Sequence, residues 1–178
     1  RGEHKAVFTV GKIDPFGFFD QNAIADDETR HFVNNVFVHN PLLDSGGDIG
    51  ADRFGFSPGA VAAYENSSDK SMPWGASLGA FGSGHGANFS GSSGKAFVMA
   101  QAWIAPRINQ LPGTYRAYAW SNARGADFDG SDARHAGVGM SLDQRFTDEL
   151  TLFARYGHQT SGRVPFDDAF TVGAELDG

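Results

Sequence analysis

Apolar and polar side chains alternate along the last third of the chain. Between residues 170 and 177, one face carries only apolar side chains, those of Phe170, Val172, Ala174 and Leu176. The opposite face carries Thr171, Gly173, Glu175 and Asp177. The same alternation runs through residues 136–143 and 150–157. Successive side chains of a β-strand point to opposite faces, so this spacing predicts strands with one apolar face and one small or charged face.

The connections between the predicted strands alternate in length. Further strands are predicted at residues 6–13, 59–64, 74–81, 96–105 and 114–122. Short turns are predicted at 65–73, 106–113 and 143–149, and longer connections rich in Gly, Ser and Asp separate the other strands. Short turns alternating with long loops are typical of outer-membrane barrels, whose tilted strands cross a bilayer with about ten residues. The pattern predicts an all-β fold, an antiparallel transmembrane β-barrel with about eight strands in this chain.

The longest connection, at about residues 14–57, lies between the first two predicted strands. It contains a candidate short helix with Asp20 as its N-cap and three acidic residues in its early part, Asp26, Asp27 and Glu28. A rough helical spacing is shown by Ile24, Phe32, Val33 and Val36. We therefore expect one partial barrel domain over residues 1–178 with this loop inserted, and a loop folded into the barrel would narrow a pore.

Composition agrees with a chain built from many strands and turns. There are 24 glycines, 23 aromatic residues and no cysteine, so disulfide, thiol and cysteine-based zinc chemistry is excluded. The net charge of −7 makes nucleic acid an unexpected partner, because its recognition requires a basic surface. No apolar run is long enough for a transmembrane helix, and no secretory signal is present. The chain starts and stops in strand-like sequence, so we expect a piece of a longer barrel.

Several blocks of sequence resemble the OprB-like carbohydrate-selective porins. The blocks near the N-terminus are residues 11–14 (GKID), 18–20 (FFD) and 22–29 (NAIADDET). Those in the second half are residues 112–120 (PGTYRAYAW), 137–142 (GVGMSL) and 148–157 (DELTLFARYG). The first group is fairly distinctive, whereas the last block is shared by many outer-membrane barrels.

This resemblance implies a sixteen-stranded porin in a Gram-negative outer membrane, of which this chain would supply about half. It implies diffusion of monosaccharides such as glucose through a narrow, charged and aromatic-lined constriction, without a cofactor. The expected partners are carbohydrates or other small polar solutes and outer-membrane lipid, with a homo-oligomer as a further expectation.

Four residues are candidates for the pore lining. Arg155, Phe153 and Glu175 fall on the non-apolar faces of neighbouring strands, and Arg116 lies opposite Tyr115 and Ala117. Charged groups facing a lumen would bind sugar hydroxyls through charge-assisted hydrogen bonds. Alternatively, they pair across strands and stabilise the wall.

Three further aromatic residues have two alternative roles. Trp103, Tyr118 and Trp120 are candidates to stack on the apolar faces of sugar rings. Tryptophan and tyrosine near strand ends also form the girdles at the membrane–water boundary. Trp120 lies at a predicted strand end, so the girdle is favoured there.

The sequence offers no catalytic or metal site. The six histidines lack the zinc-enzyme spacing, and no G-x-S-x-G motif is present, so we expect neither an enzyme nor a bound metal. Residues 127–132 (DFDGSD) resemble a calcium loop but lack its closing glutamate, so a solvated external loop is expected. Two alternatives stay open: an outer-membrane barrel enzyme, and a soluble β-sandwich or lectin-like carbohydrate-binding module with its apolar faces packed inward.

Overall fold

The computed structural model describes residues 3–27, 29, 30, 32, 34–43, 55–83 and 95–177. The expectations for Glu28, His31, Val33 and His85 lie outside the described residues. The described strands are β1 His4–Ile13, β2 Ser57–Asn66, β3 Trp74–Gly82, β4 Ala96–Ile104, β5 Arg107–Ile108, β6 Leu111–Ala126, β7 Asp132–Arg145, β8 Leu150–Ser161 and β9 Asp168–Leu176. A 3-10 helix spans Pro15–Gly17 and a four-residue helix, α1, spans Asn35–Val38. In these ranges no helix has the length and apolar character needed to cross a membrane.

The strands form one antiparallel sheet in the order β1-β2-β3-β4-β6-β7-β8-β9, and β5 adds two residues that pair with β6. The prediction of eight strands is confirmed, with β6 and β7 longer than expected. Consecutive strands pair along the whole sheet because each is joined to the next by a reversal of the chain. In the described residues β1 and β9 each pair with one neighbour, so they are the two edges of the sheet.

The two ends of the sheet differ in their connections. At the short-turn end, the chain reverses at residues 67–73, 105–110 and 146–149. At the long-loop end, it reverses at 14–56, 83–95, 127–131 and 162–167. The connections at 14–56 and 83–95 are long, as predicted. Those at 127–131 and 162–167 have only five and six residues, because β6, β7 and β8 extend beyond their predicted bounds. The alternation of short and long connections is therefore confirmed between β1 and β4 and is wrong after β6.

The outer face of the sheet is apolar and uncovered. Val138, Leu152 and Val172 are 44%, 36% and 61% exposed, and each lies on the face predicted from the alternation. The rows of register partners keep this face apolar across strands, as in Phe170, Tyr156, Met140, Ala117 and Ala102. Because exposed apolar side chains this numerous are costly in water, this face is suited to hydrocarbon.

The inner face is covered by the described part of residues 14–43, which we call the inserted segment. Its apolar side chains, those of Phe16, Phe19, Leu42 and Leu43, pack against wall residues that include Phe81, Phe97, Met99, Tyr118 and Trp120. A second cluster joins Ile24 and Ala25 to Phe153 of β8. The connection between β1 and β2 thus folds back onto the polar face of the sheet.

The helix predicted after Asp20 is wrong. Residues 21–27 are not helical, and Asp20 has a φ of 58°, outside helical geometry. The side chain of Asn22 accepts hydrogen bonds from the amides of Ile24 and Ala25, which gives the backbone an alternative to helical bonding. The apolar residues instead reach separate places on the wall, so tertiary packing overrides their helical spacing.

Candidate functional site

A buried ion pair joins the inserted segment to the inner wall. Arg155 of β8 is 1% exposed, and its Nε donates to Oδ1 of Asp20 at 3.0 Å. Its Nη2 donates to the Asp20 carbonyl and its Nη1 to the Phe37 carbonyl, both at 2.8 Å. One guanidinium therefore holds both ends of the segment between Asp20 and α1, and its planar array of donors suits this task.

Asp20 is fully buried and its carboxylate has three hydrogen-bond donors. Besides Arg155, the Tyr118 hydroxyl donates to Oδ1 at 2.8 Å and the Asn40 amide donates to Oδ2 at 2.6 Å. The side-chain amide of Asn40 donates in turn to the Tyr118 hydroxyl at 2.9 Å. A buried charge is tolerated when its partner and its lone pairs are satisfied in this way.

A second polar cluster anchors the segment closer to the short-turn end. Arg116 of β6 donates to Oδ1 of Asp143 on β7 at 3.1 Å, and both side chains are largely buried. The same Asp143 oxygen accepts the amide of Ala23, also at 3.1 Å. Ser141 donates to the Gln21 carbonyl at 2.9 Å. Arg116, Ser141 and Arg155 are register partners, so the wall fixes the segment from three neighbouring strands along nearly one row.

Asp26 on the inserted segment carries a carboxyl group that titrates near neutrality. Burial raises the pKa of Asp26 to about 7, although the positive charges of Arg155 and Arg116 act in the opposite direction. Desolvation disfavours the charged form of a carboxyl group, which explains the direction. This half-buried group is a candidate for controlling ionic preference.

The comparisons with known proteins give one line of support. No family model matches the chain, and no curated protein matches it significantly. Among solved structures, OprB of Pseudomonas putida, determined at high pH, matches with a TM-score of 0.68 and 17% sequence identity. The match covers 97% of this chain and 46% of OprB.

This chain has the fold of about half of an OprB barrel. The resemblance in the sequence is therefore confirmed at the level of fold, and at 17% identity the structural similarity extends to the fold alone. The chain spans less than half the length of OprB. A soluble β-sandwich is wrong as a fold, because the apolar faces of the strands lie on the outside of the OprB-like wall instead of packing together.

The OprB-like wall places the pore-lining candidates on its inner face, but not all of them reach open space. Arg155 is engaged with Asp20, and Arg116 is paired with Asp143. Phe153 is 1% exposed beneath the inserted segment, where it packs edge-on against Phe32. Glu175 lies on the inner face of β9 in register with Thr151 and is partly exposed. The structure brings Phe153 and Arg155 together with the segment and leaves Glu175 closer to the edge of the sheet.

The girdle position favoured for Trp120 is wrong. Tyr118 and Trp120 are 4% and 3% exposed, and both pack in the core between the inner wall and the inserted segment. Side chains alternate along β6, where Tyr115, Ala117 and Ala119 face outward. Tyr118 and Trp120 therefore face inward, as the alternation in the sequence indicates. The alternation along β6, and not the nearness of the strand end, determines where Trp120 lies.

Aromatic residues that do lie on the outer face were missed. Trp74 and Tyr64 are exposed at the short-turn end, with ring centroids 5.6 Å apart. Trp74 is the first residue of β3, and that position is the sequence signal that identifies it. The pair has the location of an interfacial girdle.

The buried partners of the ion pairs were also missed as functional residues. The sequence pattern predicts Asp20 as a helix cap and gives no signal at Asn40 or Asp143. Nothing local marks them, because Asp20 and Arg155 are 135 positions apart in the chain.

Proposed function

We propose that the chain forms about half of the wall of an outer-membrane porin through which small polar solutes diffuse. The observation that carries this proposal is the contrast between the two faces of one sheet. The outer face is apolar and uncovered, whereas the inner face bears charged and hydrogen-bonding groups that hold a folded segment. A single-layered wall between hydrocarbon and water requires this contrast.

The inserted segment acts as the constriction of this pore. It lies on the lumen side of the wall and is fixed by Arg155 and by the cluster around Asp143. A closed barrel would therefore be narrowed by this segment. Since Arg116 and Arg155, which lie against the inserted segment, are paired with carboxylates, the passage favours neutral polar solutes, and carbohydrates are the class that fits best.

Planar-bilayer recording of the whole protein tests the proposal. We expect stepwise ion conductance that is reduced by monosaccharides added to the bath. Conductance that no sugar reduces would contradict the carbohydrate assignment and leave a general porin. The absence of any conductance from correctly folded protein would contradict the porin itself.

A further inference from the structure

A cavity at the short-turn end of the wall lies apart from the inserted segment. Its volume is about 650 Å³, within the range of small-molecule sites. Its described lining comes from β1, β2, β4 and the β2–β3 turn, and includes Lys5, Glu65 and Trp103. No residue of the inserted segment is part of that lining. The cavity therefore belongs to the wall itself.

Trp103 is seated against the backbone of β3 in this cavity. Its register partner is Gly75, and a Cβ at that position would lie 2.6 Å from both Nε1 and Cε2 of the indole. The same Cβ would lie 2.6 Å from the Tyr64 carbonyl oxygen. Glycine weakens a strand, and in a strand it often marks the close approach of another group. Gly75 thus lets the indole lie directly on the inner surface of the wall.

A charged pair lies beside the indole along the same row of the sheet. Lys5, Glu65, Gly75 and Trp103 are successive register partners across β1 to β4. Lys5 Nζ is 3.5 Å from Glu65 Oε2, and the side chains are 62% and 45% exposed. An ammonium has three donors and a carboxylate about four acceptor sites, so one long contact leaves capacity for a ligand.

We propose that this row is a binding site for a pyranose sugar ring, at the short-turn end of the solute path. The indole of Trp103 receives the apolar C–H face of the ring. Lys5 donates to ring hydroxyl oxygens and Glu65 accepts from ring hydroxyl groups, and charge-assisted bonds of this kind give orientation. This inference rests on the proposed porin function and adds a solute site beside the constriction, since Trp103 is the register partner of Arg116.

Glucose and sorbitol are the probes for this site. Both carry many hydroxyl groups, but sorbitol is acyclic and has no rigid apolar face to stack. We expect glucose, added on the short-turn side, to block the wild-type conductance more strongly than sorbitol. Trp103→Ala is expected to weaken the glucose block about five- to tenfold and to remove the preference over sorbitol. Lys5→Met with Glu65→Gln is expected to weaken the block by both probes.

A further variant separates loss of the site from a general effect at this end of the wall. Trp74→Ala removes a tryptophan at the same end on the outer face and is expected to leave the block unchanged. Salt conductance without sugar is expected to be the same in all folded variants.

The outcomes distinguish the site from the porin. A glucose block that survives Trp103→Ala would overturn the site and leave the porin intact. If the wild type does not conduct, the porin fails, and tryptophan emission during a glucose titration decides the site. A saturating change in tryptophan emission would support the site if Trp103→Phe abolishes it and Trp74→Phe does not. The absence of any change in emission would overturn the site.

Discussion

At the scale of single residues, Arg155 has more partners on the inserted segment than an ordinary wall residue requires. It binds a carboxylate and two carbonyl oxygens, and all three acceptors belong to the segment. A buried ion pair seldom adds net stability over an apolar pair, but removal of one partner leaves an uncompensated buried charge. The arrangement therefore fixes the position of the segment more than it stabilises the sheet.

Replacement of Arg155 by Met is expected to release the inserted segment from the wall. The unpaired Asp20 carboxylate would be destabilised by about 3–5 kcal/mol, a cost that detachment of the segment relieves. Single-channel recording is expected to show larger and noisier conductance. Asp20→Asn combined with Arg155→Met is expected to be less severe, because no buried charge is left unpaired. The matched control is Arg107→Met at an exposed turn, and a wild-type trace from Arg155→Met would refute the anchoring role.

In the proposed pore, Asp26 is expected to make ionic preference depend on pH near neutrality. Because burial raises its pKa to about 7, the group is mostly neutral at pH 6 and mostly charged at pH 8. We expect the reversal potential in a salt gradient to shift toward cation preference as the pH rises through 7. Asp26→Asn is expected to abolish this shift. Asp27→Asn changes the adjacent carboxylate, which pairs with Arg30, and should leave the shift in place. A shift that persists in Asp26→Asn would assign it to another group.

At the scale of elements, a clasp connects two loops at the long-loop end. His135 is fully buried, and its Nε2 lies 2.9 Å from Oδ1 of Asp127. The same oxygen accepts the amide of Arg163 at 2.9 Å. Gly125 and Gly162 lie against the imidazole, where any Cβ would overlap it, and Gly162 also has a φ of 107°. Residues 127–132 are expected to form a solvated external loop. In the structure Asp127 of this loop instead joins the β6–β7 connection to the β8–β9 connection.

Disruption of this clasp is expected to expose the loop at Arg163 to protease. Asp127→Asn weakens the acceptor that His135 and the Arg163 amide share, so trypsin should cleave after Arg163 faster than in wild type. Asp129→Asn, in the same loop but bonded to Ser131, is the control. Hydrogen bonds from the Arg163 amide and His135 lower the pKa of Asp127 below its ordinary value of 3.8. The protection is therefore present above pH 3.8 and is lost as the pH falls through the lowered pKa. Equal cleavage rates at pH 7 would refute the clasp.

The strands were predictable because each has one apolar face and one face of small, polar or charged side chains. Every second side chain from Phe170 to Leu176 is apolar, and this alternation alone fixed both the strand and its faces. The inserted segment was not predictable in the same way. Its apolar residues fill separate gaps on a wall made by distant strands. Its Asp20 pairs with Arg155 of β8 and its Ala23 amide donates to Asp143 of β7, so local spacing carries no information about these contacts.

At the scale of the whole molecule, the sheet has a polar side and an apolar side, and the inserted segment lies on the polar side. In a soluble protein the apolar side would be the interior, whereas here the segment gives the polar side its own buried core. Two opposed burial patterns on one sheet are expected when the surroundings are hydrocarbon on one face and water on the other.

An apolar outer face that contacts lipid predicts how a charge placed on that face affects stability. Met140 lies midway along β7, is 46% exposed and has Ala117 and Tyr156 as register partners. Met140→Arg is expected to lower the free energy of unfolding in lipid vesicles by about 2–4 kcal/mol, the cost of an arginine near the bilayer midplane. Ala136→Arg lies on the same face beside Ser121 and Ser161. It is expected to lower the free energy of unfolding by about 1 kcal/mol or less, because a charge near the membrane–water boundary costs little.

Urea titration of the folded protein in vesicles measures the free energy of unfolding of both arginine variants. Met140→Leu is the control for the loss of the methionine side chain itself. The diagnostic quantity is the difference between the two arginine variants, because a water-exposed face would tolerate both equally. Equal and small effects would mean that water, and not hydrocarbon, covers this face. The porin would then lose its central support, since the polar inner face would no longer imply a lumen separated from a membrane by one layer of strands.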